Sequence, residues 1–346
     1  MFGRMMNNYY YGKSGKGDFR KEDLPQNRRQ LFSDTLKTRL SALCRINLLY
    51  MLIFLPAMLV IMLNFTNFLS NTTLLVEIEQ QDSYASYVQQ YTEAEKEVPV
   101  SEEQFNEIRT KGVNYGDIVD GNLFTMFIWL VPCIAITGPF TAGLSYVTRN
   151  WARDEHAFIW TDFKDALKAN WRQSLVLSVI TSILPLLVYV GWKFYGQLAQ
   201  NNPIMFIPQV LVVLVAIIWA ISITYMHPMA VTYELKMKDL LRNGLLLGVA
   251  RLPMSVAIRL LHCVPVLIGG ALIWFWNPWY GMMILFAYYA LIGFSLSRFV
   301  TASYTNAVFD RFINPRIEGA KVGQGLYKPE EDEDDTDEDA EGETEN

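Results

Sequence analysis

Cysteine and histidine are scarce in this chain of 346 residues, at three apiece. Cys44, Cys133 and Cys263 all sit in or beside apolar runs. An odd, embedded set supplies neither a disulfide framework nor a zinc spacing, and small buried hydrophobes are the expectation. His156, His227 and His262 lie far apart, so no pair has the spacing of metal ligands. A Walker loop, HExxH, GxSxG and CxxC are missing too. The expectation is therefore no catalytic residue, no cofactor or metal site, no nucleic-acid partner, and a protein that is not an enzyme. Charged residues make up only 18% of the chain, where soluble domains carry about 25%.

Apolar residues fill the gap, at 51% with mean hydropathy +0.15. They cluster in runs of about 20 residues, the length that crosses roughly 30 Å of hydrocarbon. Six spans are predicted, near 46–69, 123–147, 174–195, 205–232, 253–275 and 282–304. The fold class is all-α: a polytopic membrane protein with its spans in one domain over 31–316 and a lipid bilayer as its first partner. Pro56, Pro185 and Pro265 lie inside spans, where neighbouring helices or water can satisfy the freed carbonyls.

The net charge of −6 conceals segregation along the chain. Residues 330–345 hold twelve carboxylates and no base, so the remainder stands at +6 (−6 plus 12). Residues 1–30 read as a flexible basic arm, and 317–346 as a disordered acidic tail. Ten basic residues precede or open the first apolar run, which begins too deep for a cleavable leader. The 70–120 loop has eleven acidic residues against Lys96, Arg109 and Lys111. No core-sized apolar content is apparent there, though 93–109 could form a surface helix. The basic arm at 1–30 and the basic loops at 148–172 and 233–252 alternate with base-poor loops, which predicts both termini in the cytoplasm and the acidic loop outside.

Three stretches share a plan. Short amphipathic helices reading LFSDTLKTRL, WTDFKDALKAN and ELKMKDLLRNG enter proline-containing spans. Each is expected to lie in the membrane interface. The return spans end in GPFTAGLSYVTR, HPMAVTYELK and FVTASYTNAVFDR. This is either a threefold repeat of helical hairpins or the common look of any hairpin with basic inner flanks.

Charge inside lipid costs at least about 2.5 kcal/mol near the centre, so ionisable residues in the spans stand out. Arg45, Arg259, His262 and Arg298 qualify, with His227 and Glu234 near the exit of span 4. Two readings are open: the arginines snorkel to inner phosphates, or Arg259, His262 and Arg298 converge on a polar vestibule for an anion or a carboxylate. Gly138, Ala142 and Gly143 form a small-residue patch, suited to close helix packing or to a broken helix end that meets a ligand.

The segments ITGPFTAGLSYVTR and HAFIWTDFKDALKANWRQS together resemble the signature of the YesL-like family of bacterial membrane proteins. The matching positions are Gly138, Pro139, Ala142, Tyr146, Phe163, Leu167, Lys168, Asn170 and Trp171. Phe163, Leu167 and Trp171 are expected on one face of a short surface helix. The resemblance covers roughly 31–312, and the basic arm, acidic loop and acidic tail depart from it. It implies a bacterial plasma-membrane protein of unestablished molecular function, accessory to carbohydrate uptake and placed beside ABC-type sugar permease components. The other reading is a small-solute transporter or channel in its own right.

Overall fold

A computed structural model describes residues 25–112 and 115–327. The helices, in order, are α1 (Arg28–Gln80), α2 (Tyr84–Glu93), α3 (Glu102–Lys111), α4 (Tyr115–Ala135), α5 (Gly138–Trp151) and α6 (Thr161–Asn201). They continue with α7 (Phe206–Ala230), α8 (Met237–Ala250), α9 (Leu252–Phe275), α10 (Pro278–Tyr288) and α11 (Phe294–Phe312). No strand occurs among the described residues. Six helical segments are long and apolar enough to cross a bilayer, the arrangement of a multi-pass membrane protein. The acidic stretch 330–345 and most of the basic arm fall outside the described residues.

Several predicted boundaries move. Asn27 caps α1, its side chain accepting the Gln30 amide at 2.9 Å, so the helix begins inside the expected arm. α1 then runs 53 residues without a break. At 1.5 Å per residue that is about 80 Å, well over twice the hydrocarbon thickness, so it projects from the membrane as well as crossing it. The second entry segment is likewise the first part of a longer helix, the 41-residue α6. The third is a separate helix, α8, divided from α9 at Arg251. The three segments thus share a sequence plan without sharing a backbone plan, and the threefold arrangement is not confirmed.

The 70–120 region is a small helical unit rather than a featureless loop. α2 and α3 both begin with reciprocal capping boxes, Ser83 with Ser86 and Ser101 with Gln104. Ile78, Tyr87 and Phe105 are fully buried between these helices and the end of α1, with Tyr84, Tyr91 and Ile108 packed around them. Tyr91 donates to Glu77 at 2.6 Å, and Arg109 to the Gln81 carbonyl at 2.6 Å. Of the 93–109 stretch, residues 102–109 are helical as part of α3, while 94–101 form the connection from α2.

The second span also differs from its expected course. α4 stops at Ala135, and α5 starts at Gly138 with Pro139 in its first turn, where a missing N–H costs no helical bond. α5 is the most enclosed element of the fold, with most of its residues buried. It packs against α1, α6, α7 and α11. Small side chains permit this: a β-carbon on Gly143 would meet the Phe163 carbonyl oxygen at 2.7 Å.

Residues 317–327, expected as part of a free tail, fold back over the start of α1. Asp310 accepts from Asn314 Nδ2 at 2.6 Å and the Gly323 amide at 3.0 Å, and pairs with Arg28. The Tyr327 amide donates to the Pro25 carbonyl at 2.9 Å.

Candidate functional site

A groove of about 1100 Å³ opens where α5, the beginning of α6 and the 230–236 linker meet. Tyr146 contributes from α5. Asp162, Asp165, Asn170, Trp171, Arg172 and Gln173 line it from α6, and Thr232 to Lys236 close the far wall. The linker is held in place by side chains. Gln173 Nε2 donates to the Leu235 carbonyl at 2.6 Å, and Thr232 Oγ1 to the Pro228 carbonyl at 2.6 Å. Tyr233 donates to Asn314 Oδ1 at 2.6 Å and stacks edge-on to Phe309. Burial pushes the Tyr233 phenol up to about 12, so it remains a neutral donor.

Carboxylates and bases stand together here: Asp162, Asp165 and Glu234 beside Arg172 and Lys236. The Arg172 guanidinium lies 5.3 Å from the Trp171 ring, and Trp171 is 44% exposed. An open surface with both charge signs and an exposed tryptophan resembles a polypeptide interface more than a small-ligand cage.

The nine positions carrying the family resemblance are divided by the structure. Gly138, Ala142 and Phe163 are buried, as is the neighbouring Gly143; Leu167 packs against the same core, Pro139 is half-buried and Lys168 is exposed. Tyr146, Asn170 and Trp171 instead line the groove. Phe163, Leu167 and Trp171 therefore do not act as one surface face, because α5 covers Phe163 and leaves Trp171 outside. Asn170 Nδ2 donates to the Ala166 carbonyl at 3.0 Å, and its position borders the groove.

The ionisable residues of the spans gather elsewhere. Arg259 and Arg298 lie within electrostatic reach of each other, and both of them reach His227 and His262. Arg259 Nε donates to the Ala220 carbonyl. His262 Nε2 lies 3.1 Å from the Ser297 carbonyl. His227 is 3% exposed, and its Nδ1 has no partner among the described residues. Glu234 is exposed in the groove and Arg45 is exposed on α1, so neither joins the cluster by side-chain contact. Among the described residues no group of three His, Cys, Asp or Glu is placed to hold a metal ion.

Two polar constellations have no counterpart in the sequence analysis. Tyr225 Oη lies 2.7 Å from Ser255 Oγ and 2.8 Å from Tyr304 Oη, joining α7, α9 and α11. Asn47 on α1 is completely buried. Its Nδ2 donates to the Tyr289 and Ala290 carbonyls at 2.8 Å each, and its Oδ1 accepts the Ser295 amide at 2.9 Å. Those groups border a π-helical turn, Tyr289–Gly293, whose widened ladder leaves backbone groups to be satisfied from outside. Isolated polar residues in otherwise apolar helices are the sequence signal for both.

Fold and groove together define a multi-pass helical membrane protein with a mixed-charge surface groove. A family model described as "Protein of unknown function, DUF624" matches residues 121–192. That segment holds most of α4, all of α5 and the part of α6 that lines the groove. The match is consistent with the YesL-like resemblance and assigns no activity. No curated protein and no solved structure matches the chain.

Proposed function

We propose that this is a non-enzymatic protein of the bacterial plasma membrane, accessory to solute uptake, in which the groove beside Trp171 receives a polypeptide segment of a transport partner. The observation that carries this is the meeting of Tyr146, Asn170 and Trp171 with the 230–236 linker around one open, mixed-charge groove. The basic segments at 148–172 and 233–252 supply its walls, and the positive-inside bias puts that face in the cytoplasm. An ABC-type sugar permease component is the partner the family resemblance implies. The absence of catalytic motifs from the sequence supports a non-enzymatic role.

The test is a photo-crosslinking residue at position 171, with position 214 on the exposed apolar side of α7 as the control. Capture of an identified permease component at 171 and not at 214 is the expected result. Crosslinks at 171 that yield only lipid, or the same proteins as 214, would overturn the reading. The second reading, a transporter in its own right, is favoured by the Arg259, His262 and Arg298 cluster, and it requires Arg298→Ala to change solute flux in reconstituted vesicles.

A further inference from the structure

A second cavity, of about 570 Å³, lies between α4, α6 and α7, and its lining is almost wholly apolar. One wall follows α6 from Thr181 to Trp192, eleven residue steps or about 16 Å of helix, close to half the hydrocarbon thickness. Trp219 donates to Thr181 Oγ1 at 3.0 Å, which uses up polar groups that face this wall. The exception is Arg259, which reaches the cavity from α9.

Arg259 is seven residues from the start of α9, about 10 Å along the helix. Its Nε is bound to the Ala220 carbonyl, and its terminal amino groups have no partner among the described residues. No carboxylate among those residues forms an ion pair with Arg259 or with Arg298. Two neighbouring guanidiniums without a counter-ion repel each other in a medium of low dielectric. An anion offsets that repulsion, and guanidinium matches phosphate geometry with paired donors. The apolar wall adjoining the charge asks for the rest of the ligand to be hydrocarbon.

We propose that this crevice holds an anionic phospholipid, its phosphate on Arg259 within the positive field of Arg298 and one acyl chain along the wall from Thr181 to Trp192. The site is separate from the groove at Trp171, so the two proposals stand or fall independently.

The experiment uses the purified full chain, stripped of lipid in mild detergent and followed by native mass spectrometry. The added probes are dioleoyl phosphatidylglycerol, dioleoyl phosphatidylcholine, oleate and inorganic phosphate. The expected result is retention of phosphatidylglycerol roughly ten-fold above phosphatidylcholine, the scale of one charge-assisted contact. Arg259→Gln should abolish that preference and Arg259→Lys should keep part of it. Ala216→Trp, which fills the crevice and leaves both arginines, should release the lipid. Arg172→Gln, which removes a charge in the groove, should leave the phosphatidylglycerol preference as it is, and folding of every variant is checked by its melting profile. Equal retention of both phospholipids, or a preference that survives Arg259→Gln, would overturn the proposal. So would displacement by inorganic phosphate alone, which would mean a headgroup-free anion site, or binding of oleate in preference to phosphatidylglycerol, which would mean a fatty-acid site.

Discussion

Gly138 lies so close to Ser174 that a β-carbon at position 138 would stand 2.3 Å from the Ser174 carbonyl oxygen. The neighbouring atoms are backbone, so no side-chain rotation relieves the clash, and α5 would have to move away from α6. Gly138→Ala is expected to destabilise the protein by about 1–3 kcal/mol, the usual scale of overpacking. Gly121 in α4 faces open space, and a β-carbon there would meet nothing within 4 Å. Gly121→Ala should therefore gain about 0.5–1 kcal/mol from the lost entropy of glycine. Paired thermal unfolding curves in one detergent compare the two, and equal shifts would contradict the close approach.

Asn47 is the second point of sensitivity. Asn47→Leu removes all three of its hydrogen bonds and strands two carbonyls and one amide, at about 1–3 kcal/mol for each group left unpaired. Asn47→Asp keeps an acceptor for Ser295 but turns carboxylate oxygens toward the two carbonyls, so it should also destabilise. Hydrogen exchange localised to 289–295 is the readout, and protection unchanged in both variants would remove Asn47 from this role.

The helical unit formed by α2, α3 and the end of α1 should unfold by itself. Phe105→Ala empties the centre of its small cluster, at about 3–5 kcal/mol, more than so small a core can lose. Limited proteolysis is expected to cut between 81 and 112 while the melting temperature of the spans holds. Resistance to cleavage would show that α2 and α3 are held by something other than Phe105.

Asp310 fixes the returning segment. Asp310→Ala removes the Arg28 pair and the bonds from Asn314 and Gly323, and hydrogen bonds to charged groups contribute about 1.5–3 kcal/mol each. A cysteine placed at position 324 should then react faster with a water-soluble maleimide than the same cysteine with Asp310 intact. Equal rates would mean that 317–327 stays in place without Asp310.

The spans are legible in the sequence because length and apolarity alone define them, and six membrane-length apolar helices are present, although the second ends at Ala135 rather than running to 147. What lies between them is not. Tyr84, Tyr87 and Tyr91 recur at helical spacing, but a tyrosine counted as polar hides an apolar face, and the unit of α2 and α3 stays concealed behind it. Phe163 has the look of a surface anchor because nothing local shows that α5 covers it. Gly244 and Gly248 carry no obvious signal either, although α7 lies against both: a β-carbon would meet Met226 Cγ at 2.5 Å and Ser222 Oγ at 2.7 Å. The sequence leaves Arg259, His262 and Arg298 open to two readings, snorkelling or convergence; in the structure they lie within electrostatic reach of one another, with His227 as a fourth member. The groove is invisible in the sequence because its two walls, 162–173 and 230–236, are brought together only by tertiary packing.

The bond from Tyr327 to Pro25 has a mechanical meaning. Together with the packing of α11 on α1, it latches the first and last helices of the circuit, so the bundle cannot spread at that seam as a fan opens from its outer ribs. Lateral expansion must be taken up at another seam, and the crevice bordered by α4, α6 and α7 is where the wall already stands ajar.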